Sequence, residues 1–184
     1  MFRVLRIAVL ALACLALTQA AQAQAGQKQK TYHADLTALN GSGVSGTADL
    51  VLTGDQLQVR LDLHGETPGK THPQHIHGVK VAEGSARCPT AAADANGDGV
   101  LDHQEAEALT GGVVLPLAPF PMATASGDVH FEHTYTVNPL DVAPLASRVI
   151  MIHGAEAHGS YAKVLPVACG RIEAASGTMK PSGD

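Results

Sequence analysis

Three histidines fall in the segment THPQHIHG, residues 71–78: His72, His75 and His77. Imidazole is a borderline-soft ligand that suits copper and zinc. His75 and His77 are two apart, so on a strand they share a face and can bind one ion together. Pro73 keeps the residue before it extended. A further histidine, His153, ends the apolar run RVIMIHG and is followed by Gly154. Spacing alone also allows HIHG to be a packed, hydrogen-bonded polar turn.

A second segment points to harder chemistry. DANGDGVLDHQE, residues 94–105, follows the twelve-residue EF-hand calcium loop. Asp94, Asn96 and Asp98 fall at positions 1, 3 and 5, and Gly99 stands where the chain must turn sharply. Val100 at position 7 offers its backbone carbonyl, and Leu101 supplies the usual apolar residue. Asp102 at position 9 and Glu105 at position 12 complete the oxygens. A hard cation needs six to eight such donors, and this spacing wraps them around one point. The alternative is a solvated acidic turn. Pro89 makes ARCPTAAA a poor entering helix, and Ala106 stands where the exiting helix usually carries a large apolar residue. One isolated structural calcium loop is expected, not a paired sensor.

The elements that must position these residues are mostly strands. In GTADLVLTGDQLQVRLDLHG, Ala48, Leu50 and Leu52 alternate with outward positions, as do Leu57, Val59, Leu61 and Leu63. Gly54-Asp55 between them fits a tight hairpin turn with glycine first. DVHFEHTYTV alternates too, RVIMIHG is apolar on both faces, and Pro166 marks an edge or bulge in YAKVLPVACGRIE. A short helix is expected around residues 102–109. Short strands with glycine-rich turns predict an all-β sandwich or barrel. Residues 82–121 do not alternate and are expected to leave the sheet as an inserted loop region that carries the calcium loop.

The chain has 184 residues and opens with Arg3, Arg6 and an apolar run from Ile7 to Leu17, followed by small residues. This predicts a signal peptide over residues 1–23, too short for a membrane span, and export to the periplasm or beyond. A lipoprotein site at Cys14 is disfavoured by its early position. A polar leader at 24–30, a domain at 31–174 and a tail at 175–184 complete the expected organisation. Loss of Arg3 and Arg6 takes Lys+Arg from 12 to 10 against 17 acids, a net charge of −7. With no basic run, nucleic acid is excluded as an expected partner. Cys88 and Cys169 then remain, and two cysteines in an exported chain suggest one disulfide.

HPQHIHG resembles the H-x-x-H-x-H strand of copper/zinc superoxide dismutases. RVIMIHG resembles their later strand that ends in a copper-binding histidine, and LPVACGRI their last strand, whose cysteine is bridged to a loop after the H-x-H strand. HIHG followed by a later histidine strand is also similar to CHRD (chordin-type) domains. The resemblance implies a Greek-key sandwich, copper-type roles for His75, His77 and His153, a scaffold role for His72, and pairing of Cys88 with Cys169. The family's bridging histidine, zinc ligands and steering arginine have no counterparts in the expected places; the calcium loop and its His103 occupy that stretch. The expectation is an exported calcium-binding sandwich with a histidine-lined metal-type site. A copper-only dismutase-like enzyme is the alternative, drawing a fourth histidine from His133, His64, His130 or His158. A copper or zinc carrier is the third possibility.

Overall fold

The computed structural model describes residues 28–79, 84–157 and 159–175. Its clearest element is the expected hairpin. Strands β2 (Ser45–Thr53) and β3 (Gln56–His64) pair from Ser45 opposite His64 to Thr53 opposite Gln56. The two-residue turn places Gly54 at φ 61°, a left-handed conformation that glycine adopts without a Cβ clash. Leu57, Val59, Leu61 and Leu63 are all fully buried, as alternation along one face requires.

The other elements are β1 (Gln29–Ala38), β4 (Gln74–Gly78), helix α1 (His103–Thr110), β5 (Gly112–Pro116), β6 (Val129–Thr136), the single helical turn α2 (Pro139–Val142), β7 (Val149–Ala157), β8 (Ser160–Arg171) and β9 (Glu173–Ala174). The strands form one curled antiparallel sheet in the order β5-β4-β7-β8-β1-β2-β3-β6, with β9 beside β1. β1 joins the two halves: its first part pairs with β2, while Thr37 and Ala38 pair with Cys169 and Ala168 of β8. The chain crosses between halves from β3 to β4 and from β6 to β7, so the architecture is an all-β, Greek-key sandwich or barrel.

Two clusters of buried side chains explain the composition of β7. Ile150 and Ile152 face the main core, with Leu50, Leu61, Ile76 and Val167. Val149 and Met151 face outward, yet they are buried as well, beneath Leu39, Ala86, Leu101 and Ala106. The segment carrying loop 94–105 and α1 therefore roofs the outer face of β7. That is why RVIMIHG is apolar on both sides.

Of the region expected to leave the sheet, residues 84–121 are described, and they lie off the sheet before rejoining it. Their end returns as β5, an edge strand pairing with β4, with His75 opposite Pro116 and His77 opposite Val113. The first strand begins at Gln29, inside the stretch expected to be a leader. The stretch expected to be a signal peptide and His158 lie outside the described residues, as does nearly all of the expected tail.

Candidate metal centre

β4 and β7 pair antiparallel, with His75 opposite Met151 and His77 opposite Val149. Cross-strand partners share a face, so both histidines lie on the outer face with Val149 and Met151. The ladder of β7 with β8 is irregular at Ile152/His153 and again at His153/Ala155, where Pro166 stands opposite His153. Of the edge or bulge expected at the proline, which cannot donate to the ladder, the structure has the bulge. His153 stands at it, with its ring centroid 5.1 Å from that of His75 and 5.9 Å from that of His77.

One nitrogen of each ring then converges: His75, His77 and His153 offer ligand atoms within 4.8 Å of one another. Hydrogen bonds select which nitrogen. His77 Nδ1 donates to the Gly111 carbonyl at 2.9 Å, and His153 Nδ1 donates to the Val164 carbonyl at 3.1 Å. A carbonyl can only accept, so both Nδ1 atoms carry the proton and both Nε2 atoms present lone pairs. His77 Nε2, His153 Nε2 and His75 Nδ1 are all buried without a hydrogen-bond partner. Three buried, unpartnered donor atoms facing one point is a costly arrangement for a resting core. It suits a cation with nitrogen preference.

The protonation states agree with that chemistry. Burial pushes His75 down to about 4, helped by repulsion from His77 and His103. Burial pushes His153 down to about 3; the bond to Val164 opposes this, and the neighbouring His75, His77 and His103 add to it. His77 is also lowered, chiefly by burial. Near neutral pH all three are neutral imidazoles, the form that binds metal.

His72 points elsewhere. It is fully buried, and its Nε2 lies 3.0 Å from the Thr67 carbonyl while Nδ1 lies 3.2 Å from the His153 carbonyl. With acceptors on both sides the ring is held as imidazolium. Burial pulls its pKa down, but Glu66 and the two carbonyls outweigh that and raise it overall. The balancing charge is Glu66, whose Oε2 lies 2.6 Å from Nδ1. Both Glu66 oxygens lack an aligned donor, so this is a charge contact rather than a directed hydrogen bond. Nothing in HGETPGK distinguishes Glu66 from a solvated turn carboxylate, so sequence reasoning missed it. His72 thus braces the backbone of His153 from beneath.

None of the described candidates for a fourth histidine reaches the cluster. His64 pairs with Asp128 and His130 with Asp62, both at 2.7 Å, and His133 stacks beside Phe131 and Tyr135 on β6. The fourth imidazole near the centre is His103, with its ring centroid 6.1 Å from that of His153. It is position 10 of the calcium-loop pattern, where a side chain usually points away from the ion. Here α1 lies across β7, so outward from the loop is toward the histidines.

The loop itself is ordered by its own side chains. Asp94 accepts from Gly97 N and Gly99 N, Asn96 Oδ1 from Asp98 N, and Asp98 Oδ1 from Val100 N. Asp102 caps α1 by accepting from Glu105 N, and Glu105 reaches back to Asp102 N, Ala95 N and Asn96 N. A short 3-10 turn at Ala91–Ala93 precedes the loop in place of an entering helix. The entry is held by the Cys88–Cys169 disulfide, which forms as expected and ties it to β8. Among the described residues only the three histidines converge closely enough to count as a preformed site, so the loop carboxylates do not.

Fold and site together define an antiparallel β-sandwich with a three-imidazole cluster on its outer face. The sequence matches no protein-family model and no curated protein. Among solved structures, superoxide dismutase 5 of Candida albicans with Cu(II) is 16% identical, with a TM-score of 0.48, over 85% of this chain and 99% of that one. A mutant of the same protein is 15% identical, with a TM-score of 0.50, over 86% and 98%. The fold is superoxide dismutase-like; at these identities the likeness is one of fold alone.

Proposed function

We propose that this is an exported metal-binding protein that holds a copper or zinc ion on His75, His77 and His153 and a structural calcium ion in loop 94–105. One observation carries the first part: three neutral imidazoles present their unpartnered Nδ1 (His75) and Nε2 (His77, His153) to a common point. A bound copper or zinc ion would supply Lewis acidity there, and copper would supply redox chemistry as well. The chain's own contribution is to fix two tautomers through Gly111 and Val164 and to hold His153 from below through His72. His103 stands beside the group, its ring centroid 6.1 Å from that of His153, and is not one of the three convergent ligands.

Calcium rests on the sequence pattern, and on four carboxylates in twelve residues whose mutual repulsion a divalent cation would relieve. Its ligands would be Asp94, Asn96, Asp98, Glu105, the Val100 carbonyl and Asp102. Export rests on the leader at 1–23, and the disulfide is in keeping with it. Residues 24–30 and 175–184 would flank the folded domain.

Titration calorimetry with zinc(II) and copper(II) tests the histidine site. Replacing His77 or His153 with Ala should weaken binding far more than replacing His72, because the first two remove a coordination bond and the third removes a brace. Equal losses would sink the assignment. Calcium titration tests the loop: millimolar calcium should bind the native protein but not Glu105→Gln.

A second possibility is a copper-only superoxide dismutase-like enzyme. The specific feature favouring it is that His75 is only half-buried while its two partners are buried, which leaves one approach to the ion. Copper-loaded protein would be assayed for superoxide decay. Failure to accelerate it, with copper bound, would leave a copper or zinc carrier.

A further inference from the structure

The backbone of His153 is held from one short segment. Its N–H donates to the Pro73 carbonyl at 2.9 Å, and its carbonyl lies 3.2 Å from His72 Nδ1. The β7–β8 ladder changes register on both sides of this residue. A bulge disrupts the ladder and re-aims a side chain, so contacts from outside the ladder must fix where the ring stands. Next in the chain, Gly154 sits at φ 112°. A Cβ there would overlap the Tyr161 hydroxyl and lie 3.1 Å from His72 Nδ1. The backbone at His153 and Gly154 therefore rests directly on the His72 ring.

That ring has a second commitment, since its Nε2 lies 3.0 Å from the Thr67 carbonyl. A neutral imidazole carries one N–H and one lone pair, so it can serve only one of two carbonyls. The other would face a lone pair in a fully buried site. Serving both takes the charged ring, and a fully buried charge needs a counter-charge. Glu66 stands in that place. It is buried, and its Oε2 lies 2.6 Å from His72 Nδ1. Its backbone is fixed: Glu66 N donates to the Gly127 carbonyl at 2.9 Å, and a Cβ on Gly127 would overlap the Glu66 carbonyl. Neither carboxylate oxygen meets a hydrogen-bond donor among the described residues. As a structural group alone such a carboxylate is costly. What it contributes is the charge on His72.

We propose that Glu66 is a positioning residue of the histidine centre: by balancing the charge on His72 it lets that ring donate to the Thr67 and His153 carbonyls together, and so fixes His153 where its Nε2 meets those of its partners. This deepens the proposed function and rests on its histidine site alone. Glu66→Gln keeps the shape of the side chain and removes the charge. His72 then has one ring proton for two carbonyls. Nε2 has only the Thr67 carbonyl, whereas Nδ1 also lies 3.3 Å from the Tyr161 hydroxyl, which can donate to a lone pair there. Nδ1 is therefore the nitrogen that turns acceptor, and the His153 carbonyl is the group released.

Zinc(II) affinity is measured by calorimetry on the purified wild type, on Glu66→Gln, on His72→Gln and on the double variant. Glu66→Gln should bind zinc about tenfold more weakly, as loss of a group that orients a ligand does. The double variant should bind it as His72→Gln does, because Glu66 acts only through His72; losses that add would overturn the proposal. A second measurement needs no variant. In the metal-free wild type at neutral pH, nitrogen-15 NMR should show His72 with a proton on both ring nitrogens, and a single ring N–H would overturn the proposal as well. If zinc binds and Glu66→Gln binds it as tightly as wild type, the histidine site stands and the role of Glu66 is wrong. If the wild type takes up no zinc, the site itself is wrong and the role of Glu66 falls with it.

Discussion

Replacing His153 with Gln should flatten the acid sensitivity of the metal-free protein. In the unfolded chain His153 takes up a proton near its ordinary value of 6.5, whereas burial holds it neutral in the folded protein down to about 3. Between those values the unfolded state binds more protons, so acid favours unfolding. The stability that His153 contributes by staying neutral is present above 6.5 and is lost as pH falls through this window. Each unit of the difference corresponds to about 1.4 kcal/mol, and over pH 7.5 to 4.5 the loss accumulates to roughly 2.5 kcal/mol. His33 and His72, whose values are raised, act in the opposite sense, but they are present in both proteins and cancel in the comparison. Urea unfolding in the presence of a chelator, at several pH values across that range, measures the effect. With a slope of about 2 kcal/mol per molar urea, the wild-type midpoint should fall by roughly 1.2 M more than that of the variant. Parallel curves for the two proteins would refute a buried, neutral His153.

Three further outcomes are expected. Reducing or replacing Cys88 and Cys169, which are 81 residues apart, should cost about 4.5 kcal/mol in the chain-entropy account, read as a loss of urea midpoint. Gly154→Ala should destabilise by more than about 1 kcal/mol, because Gly154 sits at φ 112° and an added Cβ would overlap the Tyr161 hydroxyl beside His72; an unchanged melting temperature would contradict that packing. Asn40→Ala should cost about 1–3 kcal/mol in urea unfolding, since it strips both backbone partners from the buried Leu101.

Much of the frame is legible in the sequence where a single rule decides. Alternation and Gly54-Asp55 specify the β2–β3 hairpin, because one buried face and one turn geometry leave no other register. His75 and His77 are legible as a pair from their two-residue spacing, and Pro166 as a break in the ladder, an edge or a bulge, from its missing N–H. β5 is not legible: GVVLP is a half-exposed edge strand whose pairing with β4 depends on the long return of the chain after residue 84. His103 is hidden for a related reason. The loop pattern says which residues face calcium, but which surface lies on the far side depends on α1 docking over β7. The role of Gly111 is of the same kind, since a backbone carbonyl carries no sequence signature. The burial of Glu66 depends on a loop folding over His72 and has no local signal either.

In the proposed centre, His75, His77 and His153 hold one metal ion through the atoms their hydrogen bonds leave free. Anomalous diffraction from crystals of zinc- or copper-loaded protein, recorded at the metal edge, tests it most directly. A metal peak is expected about 2.0–2.1 Å from His75 Nδ1, His77 Nε2 and His153 Nε2, with His77 Nδ1 still donating to Gly111 and His72 unligated. A peak on the half-buried His33 pair or the exposed His64 or His130 pairs instead, or ligation through the Nδ1 of His77 or His153, would contradict this geometry.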